Sequence, residues 1–235
     1  MEIDQVYNWP EIRRILVRGP NVCDFLQGYL TCDCRLLDDQ HLQPAALCNL
    51  KGRVTANGWA YLVDDTTVQL LVHASLAEAV VQALAPYAKF SRCTLDISAD
   101  PILIHQIPGP LELASNWYLT NTMQDKEPLD ASHPIAHQLI LDGFALVTQA
   151  TTDKFLPQMV GLTEIGAIDF DKGCYLGQEV VARAQFRGKV KRQLYAFDWQ
   201  QTAPVVGAKS KDFGTVMSVA TSIDDPTKGI GLAVI

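Results

Sequence analysis

Lys172-Gly173-Cys174-Tyr175-Leu176-Gly177-Gln178-Glu179 places an ammonium, a thiol and a carboxylate within eight residues, between glycines that suit a tight turn. The residues that follow read as a helix. Glu179, Arg183 and Arg187 recur every fourth position along one face, and Val180, Val181 and Ala184 cover a neighbouring one. Glu179 then falls in the first turn, where the helix dipole favours a negative charge. Cys174 precedes that turn, beside Lys172 in sequence and close to backbone N–H groups that lack intrahelical partners. Both features favour the thiolate. The chemistry on offer is attack or transient ligation by sulfur. A strand-to-helix turn around a small buried Cys fits the same residues, because free Cys is among the most buried residue types.

Other groups are less promising. Cys23, Cys32, Cys34, Cys48, Cys93 and Cys174 are even in number, but nothing marks the chain as secreted, so they read as reduced thiols. Cys32-Asp33-Cys34 is shorter than a C-x₂₋₄-C half-site and has no second pair, so no resident metal is expected. His133 and His137 are four apart, yet Pro134 between them argues against a helical metal site. No P-loop, G-x-G-x-x-G or G-x-S-x-G is present.

The elements that must position the turn can be read from periodicity. Val22, Phe25, Leu26, Tyr29 and Leu30 keep helical spacing behind Pro20. Residues 47–50 and 54–63 read as a hairpin turning at Gly52, and 68–73 as a strand. Ser75 and Glu78 have capping-box spacing, ahead of Leu76, Val80, Leu84 and Tyr87 on one helical face. Strands are expected over 93–97 and 102–107. Residues 108–134 read as irregular connection and 135–148 as one or two strands. Short apolar pieces after Leu194 point to a small β module. The sum is an α+β fold, with a main region over 1–192, in one or two interleaved lobes, and a C-terminal module over 193–235.

A chain of 235 residues, nearly half of them apolar, can bury a proper core. It has no apolar run long enough to cross a bilayer. Met1-Glu2-Ile3-Asp4 carries acids where a leader carries bases, so the expectation is a cytoplasmic protein with no membrane partner. The formal charge of −7 argues against a general nucleic-acid binder. However, Arg183, Arg187, Lys189, Lys191 and Arg192 cluster, and no acid lies between Val180 and Phe197. That cluster fits either an anion site (a polyglutamate tail, a phosphate or a tRNA backbone) or a solvated helix end.

The stretch 155–158 (FLPQ), Gly161-Leu162, the run 170–179, then Val181-Ala182-Arg183-Ala184 and Phe186-Arg187-Gly188 resembles the signature of the YgfZ family. Gly19, Phe25-Leu26-Gln27-Gly28, Thr31, Asp33 and Lys51-Gly52-Arg53 agree with it. The resemblance implies a fold like the glycine-cleavage T-protein, of mixed and antiparallel sheets with helices and a small C-terminal β-barrel. It implies a folate-binding accessory protein for iron–sulfur enzyme assembly or repair and tRNA modification. The implied cofactor is tetrahydrofolate or a one-carbon derivative, and iron–sulfur client or assembly proteins are the implied partners. Cys174 and Lys172 are then the reactive pair. Glu179, Gln178, Tyr175, Arg183, Arg187, Gln27, Lys51 and Arg53 are candidates for the folate site.

Two departures bear on activity. The position of the T-protein catalytic acid falls on Val80, which argues against aminomethyl transfer. Ahead of FLPQ, relatives show Arg-x-Glu-x-Gly, whereas this chain has Leu139-Ile140-Leu141-Asp142-Gly143. Competing functions are a folate-dependent aminomethyl- or methyltransferase and a tRNA-associated binding protein.

Overall fold

Alternation of side chains along the strands gives the central sheet two buried faces, and a computed structural model describes it within residues 5–121, 127–222 and 224–235. Met1-Glu2-Ile3-Asp4, on which the leader argument rests, lie outside the described residues. A short strand β1 (Tyr7–Asn8) leads into β2 (Ile12–Arg18) and α1 (Val22–Gln27), which buries Val22, Phe25 and Leu26 at the expected spacing. The hairpin β3 (Gln43–Cys48) and β4 (Val54–Asp64) is followed by β5 (Thr67–His73), α2 (Ala77–Ala88) and β6 (Thr94–Ile97). These strands pair antiparallel in the order β3-β4-β5-β2-β6.

Ala56 and Ala60 of β4 and Val68, Leu70 and Val72 of β5 face one core, with α1 and α2. Trp59, Tyr61 and Leu71 face the other, where Trp59 stacks on Phe144 at 4.4 Å. A period of two therefore sends neighbouring residues of one strand into different cores. Burying several apolar side chains per strand at about 1.5–3 kcal/mol each makes this sheet the fixed frame of the molecule.

The second core is covered by β7 (Leu103–His105), β8 (Glu112–Ala114), β9 (Trp117–Thr120) and β10 (Leu129–Asp130), in a sheet ordered β10-β1-β7-β9-β8. Residues 108–134 are thus not irregular throughout: three short strands lie there, though 122–126 fall outside the described residues. Residues 135–148 are not strand. Ser132–Leu141 form helix α3, with Pro134 in its first turn, where a backbone N–H has no intrahelical partner to lose. His133 and His137 therefore do share a helix. The Ser75–Glu78 capping box does not form either. A 3₁₀ turn, Ala74–Leu76, precedes α2, and its Ser75 N–H is capped by the His73 side chain.

The motif helix α4 (Gln178–Phe186) leads to β11 (Leu194–Gln200), β12 (Lys209–Ser210), β13 (Gly214–Thr221) and β14 (Lys228–Val234). They form a curled four-stranded antiparallel sheet, β11-β14-β13-β12. Met217, Ala220, Leu232 and Val234 enter the main core, and β13 leans on α3. Among the described residues no helix is long and apolar enough to cross a membrane.

Candidate functional site

The motif turn is built on a buried lysine. Asp169 accepts from the N–H groups of Asp171 and Lys172, at 2.8 and 3.1 Å, and bends the chain inward. Lys172 is buried, and its Nζ donates to the carbonyls of Gln27 (2.9 Å), Leu30 (2.6 Å) and Cys32 (2.6 Å). The same ammonium lies 5.3 Å from the Tyr175 ring centroid. Burial pushes its pKa down, against the pull of Cys34, Cys32 and Asp33. An ammonium has three donors, and all three are engaged, so none is left for the Cys174 sulfur. Lys172 holds the chain after α1 to the motif; adjacency in sequence did not reveal that role.

Gln27 serves the same junction. Its Nε2 donates to Asp33 Oδ1 at 3.0 Å and its Oε1 accepts from the Cys34 N–H at 2.7 Å. Asp33 also accepts from the Arg35 N–H and side chain, and the Arg35 guanidinium holds its carboxyl well below the usual range. Thr31, fully buried, donates to the Ala167 carbonyl and accepts from the Ala46 N–H.

Beyond the lysine, the Leu176 N–H donates to the Gly28 carbonyl at 3.0 Å, and Tyr175 is buried, which pushes its phenol pKa up. Cys174, between the buried Lys172 and Tyr175, is exposed. It alone of the six is: Cys23 is half-buried and the others are buried, with burial pushing the Cys48 thiol up to about 12. Gly177, at φ 84°, starts α4, and Glu179 stands in its first turn as expected from the spacing. Glu179, Arg183 and Arg187 are exposed and Gln178 is half-buried. Among the described residues no ion pair joins Glu179 to Arg183.

The hairpin loop of residues 49–53 packs against this turn. Asn49 Oδ1 accepts from the N–H groups of Lys51 (2.9 Å) and Arg53 (3.1 Å), and Asn49 Nδ2 donates to Asp153 at 2.7 Å. Lys51 is exposed at the tip. Arg53 is half-buried; its Nη1 donates to the Lys154 carbonyl at 3.2 Å and sits 3.9 Å from Met159 Sδ.

A cavity of about 350 Å³ opens where α2, the hairpin and the motif turn meet, lined by Tyr29, Asn49, Val80, Tyr87, Asp153 and Leu176 among others. The rings of Tyr29 and Tyr87 lie 5.6 Å apart at 37°. Val80, the counted position of the missing acid, is in this wall, and so is an acid the sequence reading passed over. Asp153 sits at φ 61° in a Thr-Thr-Asp turn, where Asp is well tolerated. Lys172, Cys174, Glu179, Arg183 and Arg187 do not line the cavity. Leu139 is buried on α3, and Leu141 borders a second cavity, of about 460 Å³, with Gln158 and Glu164. The two leucines thus stand apart from the first cavity. Among the described residues no three His, Cys, Asp or Glu side chains gather as metal ligands.

No family model matches the chain. It is 30% identical over 220 residues to the tRNA-modifying protein YgfZ of Escherichia coli O157:H7, covering 76% of this chain and 67% of that one. The protein of the same name from Colwellia psychrerythraea is 29% identical over 233 residues, covering 83% and 71%. That from Klebsiella pneumoniae is 26% identical over 262 residues, covering 86% and 80%. The fold matches the crystal structure of glycine cleavage system aminomethyltransferase T from Bartonella henselae, with a TM-score of 0.72 over 97% of this chain and 78% of that one, at 16% identity. The T-protein-like architecture is therefore that of this chain. With the signature fragments Gln27-Gly28, Lys51-Gly52-Arg53 and 170–179 brought together at one turn, and with these relatives, the chain belongs to the YgfZ family.

Proposed function

We propose that this protein is a folate-binding accessory factor of tRNA modification and iron–sulfur enzyme assembly. In this reading tetrahydrofolate or a one-carbon derivative occupies the 350 Å³ cavity, and Cys174, two residues before the Leu176 of its wall, is the reactive thiol. The observation that carries the reading is the lining of that cavity. A pterin needs flat apolar faces and one acid, and the wall offers Tyr29 and Tyr87 with Asp153 and Asn49 at a polar edge. Asp153 accepts from the amino edge of the pterin, in a charge-assisted pair. Lys51, at the hairpin tip, with Arg183 and Arg187 on α4, supplies cations for the glutamate tail. Lys172, Gln27 and Tyr175 hold the turn that presents Cys174. The relatives' name, tRNA-modifying protein, supports the tRNA part.

Calorimetric titration with folinic acid tests the cavity. Wild type and Cys174→Ser should bind alike, while Asp153→Asn weakens binding about tenfold or more. Absence of wild-type binding, or an unchanged affinity in Asp153→Asn, rejects this site. Rescue of iron–sulfur enzyme activity in a deletion strain tests the thiol: Cys174→Ser should fail to rescue at unchanged thermal stability.

The carboxylate of Asp153 in the cavity also favours a second reading, a folate-dependent aminomethyl- or methyltransferase, because it supplies an acid that Val80 cannot. Tetrahydrofolate-dependent methylene transfer that is lost in Asp153→Asn would establish it.

A further inference from the structure

We infer that a cationic strip made of Arg53, Arg183, Arg187, Lys189, Lys191 and Arg192 docks the phosphate backbone of a folded RNA. The inference rests on and deepens the tRNA part of the proposed function; it shares Arg183 and Arg187 with the proposed glutamate-tail site, and Lys189, Lys191 and Arg192 are its own. Five of these residues are close in sequence, but the structure adds the sixth. Met159 lines a groove of about 260 Å³ with Leu156, Gly188 and Lys189 to Arg192, and Arg53 Nη1 sits 3.9 Å from its sulfur. The hairpin arginine therefore touches Met159, a residue of the groove wall, while the segment after α4 lines the groove itself.

Three features distinguish this strip from an ordinary solvated face. First, no acid lies between Val180 and Phe197, and among the described residues none of the six cations is in an ion pair. Second, the chain as a whole is acidic, with a formal net charge of −7, so the strip is a local exception that favours a polyanion here over the rest of the surface. Third, Phe186 is 70% exposed at the end of α4, held edge-on by Phe170 at 5.4 Å. Such a ring offers a stacking face to an unpaired base. The Asp169 carboxylate next to Phe170 turns inward onto the N–H groups of Asp171 and Lys172. Arg183 alone lies within the last turn of α4, where it complements the dipole. Lys189, Lys191 and Arg192 lie beyond the helix, so the dipole does not account for them.

Fluorescence anisotropy with a labelled, unmodified tRNA transcript, from 50 to 300 mM KCl, tests the strip. With four to six phosphate contacts, log affinity should fall against log salt with a slope of about −3 to −5. Lys189→Glu/Lys191→Glu/Arg192→Glu should bind at least about tenfold more weakly with a shallower slope, and Arg53→Gln and Phe186→Ala should each weaken binding. All variants are first checked for wild-type melting temperature, and Lys189→Gln/Lys191→Gln/Arg192→Gln replaces the reversal variant if that one unfolds. Failure of wild type to bind at 50 mM KCl, or a triple variant within about twofold of wild type, overturns the inference. The same proteins are titrated with mono- and pentaglutamyl folate. If the triple variant loses only the pentaglutamate preference and keeps tRNA affinity, the strip belongs to the folate tail and the RNA inference falls. Loss of tRNA binding with folate binding intact supports it.

Discussion

Gly52 and Gly177 meet back to back. A Cβ on Gly177 would lie 2.4 Å from the Asn49 carbonyl oxygen and 3.1 Å from the Gly52 Cα, and a Cβ on Gly52 would lie 2.9 Å from the Val180 Cβ. Both glycines have positive φ, 67° and 84°. The hairpin fragment Lys51-Gly52-Arg53 and the cysteine motif, over a hundred residues apart, are thus two halves of one contact. That contact also sets a wall of the 350 Å³ cavity, through Asn49 and Leu176.

Gly177→Ala should lower stability by about 2–4 kcal/mol, because the left-handed backbone conformation and the backbone clash add. Gly52→Ala should cost somewhat less, about 1–3 kcal/mol, since its nearest neighbour is the Val180 Cβ at 2.9 Å and the nearest carbonyl oxygen, of Gly177, lies at 3.3 Å. Urea unfolding monitored by circular dichroism reads both. Unchanged midpoints would show that the hairpin and turn separate freely.

Lys172→Met should destabilise by about 3 kcal/mol or more, because three inward-facing carbonyls lose their donor together. Lys172→Arg should not restore stability, since a planar fork cannot replace a compact ammonium among three acceptors. If Lys172→Met kept wild-type stability and lost only activity, the lysine would act on the ligand instead of on the turn.

Much of the scaffold was legible because its signals are local. The hairpin at Gly52, the apolar spacing of α1, and Glu179 in the first turn of α4 all follow from period and turn chemistry. The α3 helix was missed because Ile135, Leu139 and Ile140 sit in an apolar run that reads equally as strand, and Pro134 reads as a breaker unless it falls in a first turn. The Ser75–Glu78 cap was displaced by a tertiary demand, since the Ser75 hydroxyl accepts from the Gln149 N–H. In the site, the shape of the turn was readable, whereas spacing left Cys174 open between an exposed thiol and a buried one. The burial of Lys172, the place of Asp153 in the cavity and the joining of Arg53 to the basic segment were not readable. Each depends on contacts between distant parts of the chain, and periodicity carries no record of those.

Asp33 should give the protein an acid-sensitive junction. Its carboxyl is held ionised by Arg35, by the Arg35 N–H and by Gln27, so its folded pKa lies below the unfolded value of about 3.9. Below that value the unfolded chain takes up a proton that the folded one refuses, and stability falls with falling pH. The contribution is fully present above about pH 4 and is lost as pH drops through the folded pKa. Asp33→Asn should be less stable at neutral pH and show a flatter decline between about pH 4 and 2. Chemical denaturation at a series of pH values measures both, and parallel curves for the two proteins would contradict the assignment.

Cys174 is the exposed thiol among five shielded ones, and shielding alone should make alkylation selective. Cys32 and Cys34 lie under the Lys172 junction, Cys48 is buried with its pKa pushed up to about 12, and burial also raises Cys23 and Cys93. Iodoacetamide on native protein should therefore place a single adduct on the peptide carrying Cys174, well before any other cysteine reacts. Cys174→Ser should remove that fast phase, and a denaturant should release the remaining five thiols together. Folinic acid should slow the reaction if the ligand covers the turn, and mass-spectrometric mapping with and without it gives the degree of cover. Fast labelling spread over several cysteines would mean that the motif turn opens in solution, and Cys174 would then lose its claim to be the protein's reactive sulfur.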